Sequence, residues 1–106
     1  MKKIIFRADG NSSIGMGHFI RTLALAEMLN EHYYCIYPTR KPTDYQIAEI
    51  EKVCHGRIDL PEDDSHLNVF LNHLKGDEIV VLNNYYYTTA YQKAIKDKGC
   101  KLVFSR

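Results

Sequence analysis

The chain reads as an α/β protein with a single open, mostly parallel five-stranded Rossmann-like sheet covered by helices on both faces. Three observations predict this. Short β-branched or aromatic runs alternate with segments of helical apolar spacing along all 106 residues. The run Glu78-Ile79-Val80-Val81-Leu82 shows no polar alternation, as a central parallel strand covered on both faces should. The first apolar run is followed by a cluster of turn formers and then by a long breaker-free stretch, the pattern of a strand, a loop and a helix.

The elements follow in order. Lys2 to Arg7 is the first strand, ended by Asp9-Gly10-Asn11-Ser12-Ser13. A helix runs from Gly17 to about Asn30 with Ile20, Leu23, Ala24 and Met28 on its apolar stripe. Tyr33 to Tyr37 is the second strand, cut off by Pro38, with Tyr33, Tyr34 and Tyr37 as packing residues. Thr43-Asp44-Tyr45-Gln46 is a capping box opening a helix that carries Ile47, Ile50 and Val53, with Gly56 ending it. Arg57 to Leu60 is a short third strand. The acidic turn Glu62-Asp63-Asp64 then supplies a cap to a helix built on Leu67, Phe70, Leu71 and Leu74. After the fourth strand, Thr89-Ala90-Tyr91-Gln92 reads as a second capping box; its helix buries Tyr91, Ala94 and Ile95, and Gly99 caps its end. Cys100 to Phe104 is the fifth strand. The strand order expected is 3-2-1-4-5, which places a ligand at the carboxyl ends of strands one and four.

Composition removes several classes of function. With 45% hydrophobic and 25% charged residues the chain is an ordinary globular domain, neither disordered nor collagen-like. A net charge of +1 gives no electrostatic footprint for nucleic acid. No apolar run approaches the roughly 20 residues that span a bilayer, and the N-terminus lacks the apolar core of a secretory signal. A cytoplasmic, membrane-free location is expected. Cys35, Cys54 and Cys100 show no C-x-x-C spacing and read as thiols in or near the core. The five histidines show no metal-binding spacing, so no metal and no cofactor is expected.

Chemistry concentrates between Asp9 and Arg21. Gly15 and Gly17 are expected in a loop, where they permit positive φ and close approach of a ligand to the backbone. A helix starting near Gly17 or His18 would offer an anion its free N–H groups, and its dipole would keep His18 neutral, as a general base requires. Asp9 could orient a substrate hydroxyl or a water, and Arg21, one turn beyond His18, could pair with a phosphate or carboxylate. By spacing alone Gly-x-Gly-His is a weak signal, and the loop matches neither G-x-G-x-x-G nor the Walker pattern.

Phe6-Arg7-Ala8-Asp9, Ile14-Gly15-Met16-Gly17-His18 and Arg21-Thr22-Leu23-Ala24-Leu25-Ala26 together resemble the N-terminal signature of the UDP-sugar hydrolases of pseudaminic acid biosynthesis. That family hydrolyses UDP-2,4-diacetamido-2,4,6-trideoxy-β-L-altropyranose and has a two-domain, glycosyltransferase-B-like architecture. A second stretch, Ile79 through Val103, also corresponds. The resemblance implies that His18 activates the attacking water. It further implies that Asp9, Gly15, Gly17 and Arg21 line the site and that Tyr85 stands on the sugar side. Asn83 occupies the place where the family usually has an aspartate, and an amide cannot act as a carboxylate base. The chain corresponds to about the first third of a family member, without the domain that grips the nucleotide. The expectation is a catalytic half-site that is inactive alone, with a nucleotide sugar as ligand and the nucleotide-binding half as partner. Two other readings are a non-catalytic sugar- or anion-binding module and the acceptor-binding half of a glycosyltransferase. Tyr85, Tyr86 and Tyr87 either stack on a sugar or cover apolar surface, which would also allow a homo-oligomer.

Overall fold

The structure, a computed structural model, describes residues 1–10, 13–83 and 87–105, with the side chains of 13, 14 and 83 outside that description. Nine elements alternate without exception: β1 (Lys3–Phe6), α1 (Ser13–Leu29), β2 (Tyr34–Arg40), α2 (Asp44–Val53), β3 (Gly56–Leu60), α3 (His66–Asn72), β4 (Ile79–Asn83), α4 (Thr89–Asp97) and β5 (Lys101–Ser105). The sheet is entirely parallel and its order is β3-β2-β1-β4-β5, the order read from the sequence. The fold is α/β and consistent with the Rossmann-like class.

Each face of the sheet has its own core. On one side Phe19 and Ala26 of α1 and Ile50 of α2 close over Ile4, Phe6, Cys35, Tyr37 and Val81. On the other, Phe70 of α3 and Tyr91 and Ile95 of α4 cover Ile5, Val80 and Leu82. Side chains of β1 therefore alternate between the layers, and Val80, Val81 and Leu82 of the central β4 are all buried, as their unbroken apolar run requires. Cys35 and Cys100 are buried and Cys54 half-buried, all three as free thiols.

Six local readings need correction. α1 starts at Ser13, about one turn earlier than expected, so Gly15 and Gly17 are helical; among the described residues the glycines with positive φ are Gly76 and Gly99. The apolar stripe of α1 is also rotated: Ile20 and Met28 are 52% and 76% exposed, while Phe19, Thr22 and Ala26 face the sheet. Polar Thr22 can lie there because its hydroxyl donates to the His18 carbonyl at 2.8 Å. β2 passes through Pro38 to Arg40, since its pairing with β1 stops at Ile36 and no β1 strand remains beyond it to need a donor. Gly56 opens β3 instead of closing α2, whose last turn ends at Cys54.

The N-cap of α4 is Thr88, whose Oγ1 accepts from the Tyr91 amide at 3.1 Å, while Gln92 donates to the Tyr87 carbonyl. The first capping box is formed as read, Thr43 and Gln46 each accepting from the other's backbone amide. The acidic turn does not supply the cap expected of it: the N-cap of α3 is Ser65, which makes no side-chain cap bond, and the Asp63 carboxylate is spent on the Ser65 amide at 2.9 Å and on its hydroxyl. Gly99 follows the end of α4 at φ 98°, and a Cβ on neighbouring Gly76 would collide with the Lys98 carbonyl.

The cap assignment is testable by thermal or denaturant unfolding. Thr88→Ala should cost about 1 kcal/mol, whereas Thr89→Ala should stay within about 0.5 kcal/mol of wild type. A larger loss at Thr89 would return the cap to the position first read.

Candidate functional site

The connection from β3 to β4 crosses to the far side of β1, so the sheet changes direction between β1 and β4. The crevice at the carboxyl ends of those two strands is where an open α/β sheet admits a ligand. Asp9 follows β1 there, and Asn83 ends β4, paired with Ser105 of β5. The Asn83 side chain and all of Tyr85 lie outside the described residues.

Asp9 is the most heavily bonded side chain of this edge. Its carboxylate receives Arg7 Nη1 at 2.6 Å and Nη2 at 3.2 Å, and from β2 the Arg40 amide and Nε, both at 2.9 Å. Arg7 is fully buried and Arg40 is 32% exposed. Burial works to raise the Asp9 pKa, but the charge and hydrogen bonds of Arg7, then those of Arg40, outweigh it and hold it below the ordinary carboxylate value.

Arg7 leaves β1 into the α3/α4 layer. Its Nε donates to the Tyr91 hydroxyl at 2.9 Å, and Nη2 lies 3.5 Å from His66 Nδ1. The rings of Phe70, Tyr87 and Tyr91 stand within 5.4–6.0 Å of its guanidinium carbon. A buried arginine is tolerated because its charge is matched by Asp9 and its remaining faces by π-systems.

Across the sheet, His18 lies in the second turn of α1, not at its first residue, and is buried. Its pKa is lowered, first by burial and then by the charge of Arg21, with Asp9 acting weakly in the opposite sense. Neutrality at pH 7 was expected from the helix dipole; desolvation is its principal cause. Arg21, one turn beyond, is exposed, and its charge still reaches His18.

Gly15 is buried in the first turn, whereas Gly17 is exposed and a Cβ built on it meets nothing within 4 Å. Sterics do demand a glycine at Gly10. A Cβ there would lie 2.6 Å from Phe19 Cβ, and the Gly10 carbonyl takes a hydrogen bond from buried Gln46. Arg7, Arg40 and His66 were not singled out by sequence. Arg7 had a signal, a lone cation closing an apolar strand two residues before an aspartate and so on the same side of it. Arg40 and His66 had none, because only the fold brings them to Asp9.

Among the described residues there is no cluster of three or more histidine, cysteine or acidic side chains able to hold a metal. Nor, among them, is any helix long and apolar enough to cross a membrane. Comparison with protein-family models, curated proteins and solved structures finds no match for this chain.

Two measurements test the site's construction. Asp9→Asn strands the buried Arg7 charge and should cost about 3–5 kcal/mol in denaturant unfolding. Because the folded pKa of Asp9 is depressed, its contribution is complete above the unfolded value near ~4 and fades as pH falls through the folded one. Acid unfolding of Asp9→Asn should lack that component, and an unchanged profile would contradict the ion-pair account. Gly17→Ala should stabilise α1 by up to about 1 kcal/mol, since helical propensity rises and nothing obstructs the methyl. Destabilisation would show that Gly17 is sterically constrained after all.

Proposed function

We propose that this chain forms one half of a nucleotide-sugar hydrolase cleft in surface-glycan biosynthesis, in a cytoplasmic setting, with His18 as the base that activates water. The observation that carries this reading is the state of His18. It is a buried imidazole kept neutral by desolvation, in the second turn of the helix that follows β1. In that role the imidazole takes a proton from water as the oxygen bonds to the sugar anomeric carbon or to the diphosphate linkage. Attack at the anomeric carbon breaks the C–O bond and UDP leaves with its electrons. Attack at the sugar-bearing phosphorus breaks the P–O bond instead, so the sugar oxygen leaves with the electrons and a proton while the water oxygen stays on UDP. Gly15, Gly17, Arg21, Asn83 and Tyr85 are proposed as substrate contacts, with Asp9 at the edge of the site. A second domain supplies the grip on the nucleotide, and positioning of that kind contributes roughly 7–11 kcal/mol of barrier reduction. The 106-residue chain alone is therefore proposed to bind weakly and to turn over nothing.

One observation favours a second reading, a non-catalytic sugar- or anion-binding module. The Asp9 carboxylate is already engaged by two arginines, and position 83 is an amide, so neither offers a carboxylate to a substrate.

Titration of the isotopically labelled chain with UDP-2,4-diacetamido-2,4,6-trideoxy-β-L-altropyranose separates the two. The hydrolase reading expects resonances of His18 and its neighbours on α1 to shift saturably, with UDP giving part of the effect and no UDP released. Shifts with free sugars or simple anions but none with UDP would favour the module. Turnover abolished by His18→Gln would confirm the base and refute the claim that the half-site is inactive.

A further inference from the structure

Asp9 uses only one edge of Arg40. Nε and the backbone amide of Arg40 point to the carboxylate, while Nη1 and Nη2 make no hydrogen bond among the described residues. Arg40 is thus held at its Nε and amide, at the carboxyl end of β2, with its side chain 32% exposed. His66, opening α3, is fixed in a complementary way. Its ring stacks on Tyr91 with centroids 5.8 Å apart, and Nδ1 faces Arg7 Nη2, a group that can only donate. In the neutral tautomer this contact selects, Nδ1 accepts and Nε2 carries the proton, as a second donor on the same edge.

We propose that Arg40 and His66 form a binding site for a phosphoryl group, with Arg7 and Asp9 as its rigid base. The parallel N–H groups of the Arg40 fork match two oxygens, and His66 Nε2–H offers a donor from a different element for a third. A phosphoryl group has three terminal oxygens to meet them, whereas a carboxylate is exhausted by the fork. Arg7 and Arg40 together exceed the charge of Asp9, leaving the edge attractive to an anion. Lys41, next to Arg40, is exposed and paired with Glu62 at 3.2 Å. The site shares Asp9 with the hydrolase reading, but its donors are distinct, since none of them is His18 or belongs to α1.

The surroundings of His66 supply a readout. Burial and the charges of Arg40 on β2 and Arg7 on β1 lower its pKa, while Asp9 and the exposed Asp64 oppose them. A bound phosphoryl dianion adds a strong charge favouring imidazolium, so it must raise the His66 midpoint.

The test follows His66 ring resonances in the full chain through a pH titration, with and without inorganic phosphate at constant ionic strength. The expected result is a saturable upward shift of the His66 midpoint. In Arg40→Lys, which keeps a cation beside Asp9 but lacks the fork, phosphate affinity should fall about tenfold or more. Arg40→Gln should abolish the shift, and His18→Gln should bind phosphate as wild type does. Loss of binding in His18→Gln would place phosphate at α1 and overturn the assignment, without bearing on whether His18 is a base. An absent shift, an equal shift with acetate, or wild-type affinity in Arg40→Lys would equally overturn it.

Discussion

The carboxyl edge of this sheet depends on one carboxylate. Asp9 is the point where β1, β2 and the α3/α4 layer are joined: it neutralises the buried Arg7, receives the Arg40 amide at the end of β2, and fixes the Arg40 side chain. Burial of a charged arginine costs several kcal/mol unless it is matched, and here the match is a bidentate pair at its tip and aromatic faces around it. Gly10 lies against Phe19 and Gln46, where no side chain fits. Phe19, one residue after His18 on α1, is thereby held against the backbone that follows Asp9.

The sheet also divides the chemistry of the edge into two layers. His18 belongs to the α1 side, where its neutrality is a consequence of burial. The guanidinium cluster belongs to the α3/α4 side, where Tyr91 accepts from Arg7 and His66 stacks on Tyr91. Asp9 acts on both, since its charge also reaches His18. A neutral imidazole on one face and a guanidinium cluster on the other both feel the charge of Asp9.

How far the sequence reveals this can be followed residue by residue. The order of strands was legible because the apolar runs differ in kind: Ile79 to Leu82 has no polar alternation, and the β1 run ends in turn formers. The Thr43 box was legible because both of its halves lie within four residues. Thr88 and Thr89 present the same cap chemistry one residue apart, and the choice falls to whichever lets Tyr91 and Ile95 face the sheet. The start of α1 was misread for a related reason, since two glycines in the first turns resemble a loop although the helix absorbs them. The Arg7–Asp9 half of the site is local and leaves a trace in sequence. The Arg40 and His66 half is assembled across 31 and 59 residues of chain and leaves none.

The most direct test of the account is the response of the Arg40 amide to Asp9. Its N–H is bonded to the Asp9 carboxylate at 2.9 Å, so the amide proton resonance should report protonation of that group. Followed by NMR as pH is lowered, it should move with a midpoint below the ordinary aspartate value of about 3.9, and the response should vanish in Asp9→Asn. An Arg40 amide that does not titrate, or does so at or above that value, would contradict the joining of β1 to β2 through Asp9.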